Sequence, residues 1–279
     1  MVALYCHFVT PACNKEAVPD DIPLLYDSVP IVKPVVPIIN ECSGIADSKK
    51  NPGKIWVEED SGNPSQLHLL GSDGVVVKTI FISGSVNRDW EDICLAAGKL
   101  YIGDIGDNNA VHSECIIYRF DEPLSTVDTV KTVESIRYVY ADGPRDAEAF
   151  IVDPVSKDIF IITKRDNPSR IYKLAFPYST TAVNTAQQVS SLTYSGVVSA
   201  ALSPNGKEIL LKTYIGIQHF SRASGESISD ALKKKFTNIH YVREPLGEAI
   251  SFAIDSSGFF TLSEKGLATS VNLYFYPKK

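Results

Sequence analysis

One pattern returns five times along this chain and limits its fold more than any other property. A polar loop leads into a short apolar strand, a tight turn follows, and a second apolar strand runs out into another charged loop. In the clearest copy, Asn87-Arg88-Asp89-Trp90-Glu91-Asp92-Ile93-Cys94-Leu95-Ala96 is followed by the turn Ala97-Gly98 and then by Lys99-Leu100-Tyr101-Ile102-Gly103-Asp104. The other copies open at Glu41, Glu148, Ser199 and Glu248, so successive openers stand 50, 57, 51 and 49 residues apart. That interval holds four short antiparallel strands with their turns, the unit of a propeller blade. The expectation is an all-β fold, a five-bladed β-propeller.

Third strands are expected at 66–70, 116–120, 170–174 and 216–220, and outer fourth strands at 76–82, 136–140, 191–194 and 238–242. They alternate polar and apolar residues or carry β-branched and aromatic side chains, as strands with one wet face do. After the fifth opener only three strands remain, the last within Val271–Tyr276. The missing fourth is expected from residues 29–39, whose Pro30, Pro34 and Pro37 forbid a central strand and suit an edge. An N-terminal strand thus completes the last blade and closes the ring. A short helix is expected only within Gly225–Lys235.

With 44% hydrophobic residues in 279, one large core suffices, giving a single domain over 29–279 and an export-like segment with a tether over 1–28. A net charge of −6, and no Lys/Arg run longer than Lys233-Lys234-Lys235, argue against nucleic acid or an anionic membrane as partner. No stretch approaches the roughly 18 apolar residues of a membrane span. The five cysteines, at 6, 13, 42, 94 and 115, form no CxxC. Cys42 and Cys94 fall on first strands and read as small buried hydrophobes. The segment Val9-Thr10-Pro11-Ala12-Cys13-Asn14-Lys15-Glu16 resembles the lipobox of exported bacterial lipoproteins. That resemblance implies a periplasmic or surface location, with Cys13 as the only membrane anchor; a disordered tail with an incidental cysteine is the alternative. A monomer is expected.

In a propeller the loops that enter first strands and leave second strands open on one face, so their charged residues meet around the channel mouth. The openers Glu41, Glu91, Glu148, Ser199 and Glu248 form a column. If they point inward, four carboxylates converge and require a cation or protons. Oxygen ligands without His or Cys suit Ca²⁺. Alternatively the glutamates bond to backbone amides or to Arg88 and Arg145 and brace one blade against the next. Around them Asp60, Arg88, Asp107, Asn108, Arg145, Tyr214 and Glu264 are candidate ligand contacts. Lys164, Arg165 and Lys212 are candidates to neutralise a developing oxyanion, and Glu59 or Asp104 to orient or deprotonate a water. The run Asp104-Ile-Gly-Asp107-Asn108-Asn109 is either a second cation loop or a tight turn. No Walker loop, GxGxxG, GxSxG or HExxH occurs, and only His112 of the five histidines falls near this face.

Over residues 41–265, Glu41-Cys-Ser-Gly-Ile-Ala, Glu59-Asp-Ser-Gly-Asn, Asp89-Trp-Glu-Asp-Ile, Tyr101-Ile-Gly-Asp-Ile-Gly-Asp-Asn, Arg145-Asp-Ala-Glu-Ala and Thr163-Lys-Arg resemble a group of exported bacterial β-propeller proteins without assigned activity. The layout is also similar, more distantly, to the calcium-activated nucleotidases of the apyrase family. That resemblance implies a calcium ion held in the channel by a ring of Glu and Ser, matched here by the column of openers, and hydrolysis of nucleoside di- and triphosphates. Two functions follow as expectations: a calcium-rigidified propeller that binds a small anionic ligand or a protein partner at its mouth, or a Ca²⁺-dependent hydrolase of phosphate esters or anhydrides.

Overall fold

The computed structural model describes residues 24–279, and Cys13 with its lipobox-like segment lies outside them. The described chain is all-β apart from one helical turn. It begins with β1 (Ile31–Pro34) and continues through β2 (Cys42–Asp47), β3 (Lys54–Glu59), β4 (Gln66–Gly71) and β5 (Val76–Ile82). The second repeat supplies β6 (Trp90–Ala96), β7 (Lys99–Asp104), β8 (Cys115–Asp121), the two-residue β9 (Thr129–Val130) and β10 (Glu134–Tyr140). The third has β11 (Ala147–Val152), β12 (Ile159–Thr163), β13 (Arg170–Leu174) and β14 (Asn184–Ser191). The fourth has β15 (Val197–Leu202), β16 (Glu208–Thr213), β17 (Gly216–Ser221), the helical turn α1 (Ile228–Ala231) and β18 (Thr237–Ile239). The last has β19 (Gly247–Phe252), β20 (Gly258–Ser263) and β21 (Asn272–Pro277).

Hydrogen bonding gathers these strands into four sheets. The first repeat is the antiparallel β2-β3-β4-β5, to whose edge β9 adds in parallel. The second and third join into eight strands because β10 and β14 pair in parallel, Tyr138 beside Asn184. The fourth is β15-β16-β17-β18, and in the last β1 lies antiparallel to β21 with Ile31 opposite Phe275. The first and last strands of the described residues therefore share a sheet. The body begins earlier than the expected tether boundary, since Tyr26 is 2% exposed, bridges to Lys278 and packs edge-on against Phe259. The fourth strand of the third repeat also lies earlier than expected, at 184–191 rather than 191–194.

The first strands β2, β6, β11, β15 and β19 each pack on the next, and β19 packs back on β2. A separate apolar cluster fills each of the five gaps between successive repeats. Trp56 and Leu100 lie in one, Tyr101 and Phe150 in the next, then Ile162 and Leu211, Leu210 and Phe259, and finally Ile45 and Leu262. Each first strand is thus covered on both sides, which is why Ala147–Val152 is buried throughout and shows no polar alternation.

Candidate functional site

Each first strand carries one irregularity at the same place. Pairing with the second strand slips between Cys42 and Gly44, Trp90 and Asp92, Ala147 and Ala149, Val197 and Ser199, and Gly247 and Ala249. The residues left unpaired by these β-bulges are Ser43, Glu91, Glu148, Val198 and Glu248. A bulge turns its extra residue out of the ladder and re-aims it, here toward the axis enclosed by the five strands. Two of the expected ligands are thereby corrected. Glu41 is exposed, and its carbonyl accepts from Asp60 N at 2.8 Å; Ser43 takes its place in the column. Ser199 is one residue past the bulge, so Val198 occupies the fourth position.

The column residues meet. Ser43 Oγ donates to the Glu91 carbonyl at 2.9 Å and to Glu248 Oε2 at 3.4 Å. Tyr214 donates its hydroxyl to Glu248 Oε1, and Lys164 pairs with Glu148 while donating to Tyr214 Oη at 3.2 Å. The Glu91 carboxylate, 4% exposed, receives no hydrogen bond from a described residue. Burial, reinforced by Glu148 and Asp60, holds its acid form far above the usual carboxylate range. Burial, opposed by Lys164, pushes Glu148 up to about 8, and Glu148 Oε2 has no partner.

One layer deeper, Asp92 is fully buried. Its carboxylate accepts from Ser199 Oγ (3.1 Å), Ala200 N (3.2 Å) and Phe150 N (3.3 Å), so one side chain ties β6 to both β11 and β15. Burial raises its pKa despite these bonds. Beside it sits Glu58, 0% exposed, with neither oxygen partnered and its pKa well above normal, through burial first and then the nearby Asp60 and Asp92. Gly44 makes room for it, since a Cβ there would lie 2.7 Å from Glu58 Oε1 and 2.7 Å from Ile93 N. Glu58 and Asp92 were not among the expected site residues; Glu58 stands next to the chosen Glu59, and only the pairing register reveals which of the two faces inward. Beyond this layer the same five strands line a funnel of about 320 Å³ whose wall mixes apolar residues such as Ile45, Phe150 and Phe252 with Asp47, Ser203 and Ser251. Cys94, expected to be buried, is only half-buried and borders the funnel.

The outer rim is acidic. Asp60 and Asp89 approach Glu91 from one side and Asp146 approaches Glu91 and Glu148 from the other. Burial, with Asp60 adding to it, brings Asp89 to about 6. Burial and Glu248 bring Glu264 to about 8. Several other expected contacts have structural partners. Glu59 bonds His68 Nε2 at 2.9 Å and Asn40 N at 3.2 Å; burial raises its pKa, but His68 and the Asn40 and Glu41 amides together bring it below the usual value. Asp104 accepts from Asp89 N at 2.8 Å with Arg88 beside it. Arg88 itself donates to the Glu114 and Asp104 carbonyls. Asp107 accepts from Val111 N and His112 N, closing its own loop rather than a cation site. Arg145 is drawn to Asp142, Asp166 and Tyr172. Arg165 lies 2.7 Å from Asp146 Oδ2 and donates to Asn108.

Lys212 requires the clearest correction. Its side chain is 1% exposed, and Nζ donates to Glu244 Oε2 at 3.0 Å beneath the Tyr241 ring. Glu244 also accepts from Thr261 Oγ1 at 2.6 Å, so the pair is sealed inside the protein and reaches no ligand.

No protein-family model matches the chain, and no curated protein matches it. Among solved structures, the chain is similar to Kuenenia stuttgartiensis hydrazine synthase, with 10% sequence identity and a TM-score of 0.43 over 84% of this chain and 71% of that one. A likeness this slight assigns neither a fold nor an activity to the chain.

Proposed function

We propose that this chain is a five-bladed β-propeller whose channel mouth binds a hard divalent cation, Ca²⁺ in the first instance, and through it a small anionic ligand or an acidic partner group. The observation that carries this reading is a cluster of buried carboxylates, Glu91, Asp146 and Glu148, in which Glu148 Oε2 has no partner and the Glu91 carboxylate receives no hydrogen bond from a described residue. Buried ionised groups without counter-charge are costly, and a cation removes that cost. The corrected column of Ser43, Glu91, Glu148, Val198 and Glu248 keeps the Glu-and-Ser character that the resemblance to calcium-activated nucleotidases implies.

An anion alone does not suit this mouth, because the basic groups nearest to it, Lys164 and Arg165, already face Glu148 and Asp146. Binding through a cation is therefore preferred to direct capture. The hydrolase remains the alternative, with Lys164 and Arg165 as the basic groups near the centre among the described residues once Lys212 is removed. Export with an anchor at Cys13, and a monomeric state, belong to the same reading. Elemental analysis of the purified chain, with melting followed before and after chelation, tests it. Bound Ca²⁺ whose removal lowers the melt supports the cation site; a metal-free protein indifferent to Ca²⁺ sinks it. A screen of phosphate esters and anhydrides with Ca²⁺ then separates binding from hydrolysis.

A further inference from the structure

We propose that the mouth holds two divalent cations rather than one, with the Glu91 carboxylate bridging them; this rests on the cation reading above. Two carboxylate triads occur, Asp60 with Asp89 and Glu91, and Glu91 with Asp146 and Glu148, and Glu91 is their only shared member. Within each triad one oxygen per residue lies within 4.8 Å of the others. That is the span across a Ca²⁺ coordination sphere, whose Ca–O distances are about 2.3–2.6 Å. One carboxylate has two oxygens, and a residue common to two such triads can give one to each.

One member of the inner triad, Glu148, carries a buried oxygen with no partner, Oε2. The outer triad has its own mark. The carboxylate of Glu91, a residue 4% exposed, accepts no hydrogen bond from a described residue, and the Gly106 backbone lies against it with no side chain between. A Cβ at Gly106 would stand 2.1 Å from Glu91 Oε1 and 2.4 Å from Asp89 Oδ2, so these two oxygens converge over a spot that a side chain would fill. Charge points the same way. When a bound cation keeps all five carboxylates ionised, Lys164 and Arg165 balance two of the five negative charges, which leaves three before Glu248 and Glu264 are counted. One divalent ion cannot neutralise them.

The two ions would occupy unlike positions. The inner one is enclosed by Glu91, Asp146 and Glu148, all buried, whereas Asp60 and Asp89 are half-exposed. The outer ion is thus the one with coordination positions open to water or to a phosphate oxygen, while the inner one braces the second repeat to the third.

The test is a Ca²⁺ titration of the metal-stripped full chain by calorimetry, with native mass spectrometry to count ions. Two ions per chain are expected. Asp89→Asn should keep the inner ion and weaken the outer one by roughly 100-fold, the scale on which ligand charge tunes oxygen sites. Gly106→Ala should act likewise without removing any ligand, and Glu91→Gln should lose both. One ion in the unaltered chain overturns the bridged pair and leaves the single-cation reading standing. No ion overturns both. Two ions that survive Asp89→Asn and Gly106→Ala unchanged refute the placement of the outer site. Circular dichroism of each variant separates lost binding from lost folding.

Discussion

Stripped of divalent cations, this protein should lose stability as pH rises from 5 to 8.5, the reverse of what salt-bridged surface carboxylates produce. The cause is proton retention at the mouth. Burial, only partly offset by Lys164, lifts Glu148 from an ordinary 4.5 to about 8. A group whose folded pKa is raised binds more protons in the folded than in the unfolded chain. Its contribution is present below the unfolded value and is lost as pH climbs through the folded one. Glu148 is 4% exposed, so little solvent screening applies. The interval from 4.5 to about 8, at about 1.4 kcal/mol per pH unit, corresponds to roughly 4–5 kcal/mol. Glu91 and Glu58 shift in the same direction through burial, but their protons are shared among close neighbours and the effects do not add. At about 2 °C per kcal/mol for a chain of this size, the melting temperature should fall on the order of 10 °C. The assay is a set of thermal and urea melts in chelator at pH 5, 6, 7 and 8.5, repeated with excess Ca²⁺. With the ion present the profile should flatten, because the cation takes over the proton's role. Stability in chelator that is level or rising between pH 5 and 8.5 would refute the placing of unpaired carboxylates at the axis.

Further outcomes follow from other parts of the molecule. Asp92→Ala leaves Phe150 N, Ala200 N and Ser199 Oγ without their acceptor, which should cost about 3–5 kcal/mol in urea melts at pH 7, and Asp92→Asn, retaining one acceptor, should cost less. Lys212→Ala strands Glu244 in the interior, at about 3–5 kcal/mol, whereas Lys212→Met with Glu244→Leu should return most of that, and Ca²⁺ affinity should be unchanged in the double variant. Glu58→Gln, neutral and of equal size, should raise the melt in chelator at pH 8; a lower melt there would mean that Glu58 has a counter-charge. Deleting residues up to Pro34 strips β1 from β21 and uncovers Phe275 and Tyr276, and limited proteolysis should then cut first in the last repeat.

The strands were legible because inner strands covered on both sides carry apolar runs such as Ala149–Val152 and Ile159–Ile162, interrupted in the first strand only by the bulged Glu148. Closure through residues 29–39 followed from counting, since three strands need a fourth, and Ile31–Pro34 supplies it. Outer strands were harder to place. In Asn184–Ser191 only Ala186 is fully buried, so its polar glutamines carry no signal of a strand and the segment 191–194 reads as the strand instead. The site was misread for a subtler reason. A β-bulge shifts side-chain direction by one residue and leaves no trace in composition, so Glu41 and Ser199 were chosen where Ser43 and Val198 stand. Lys212 looked like a free cation because its partner Glu244 lies 32 residues away and meets it only through folding.

The pairing of β1 with β21 also fixes where the molecule can be held. Asp27 N donates to the Pro277 carbonyl and Lys279 N to that of Leu25, while Lys278 N donates to Ser257 in the turn whose Ile254 borders the funnel. Both described ends therefore leave the body together, on the funnel side of the outer rim. A probe fused after Lys279 thus starts from the face that holds the Ala253–Gly258 turn, away from the acidic mouth.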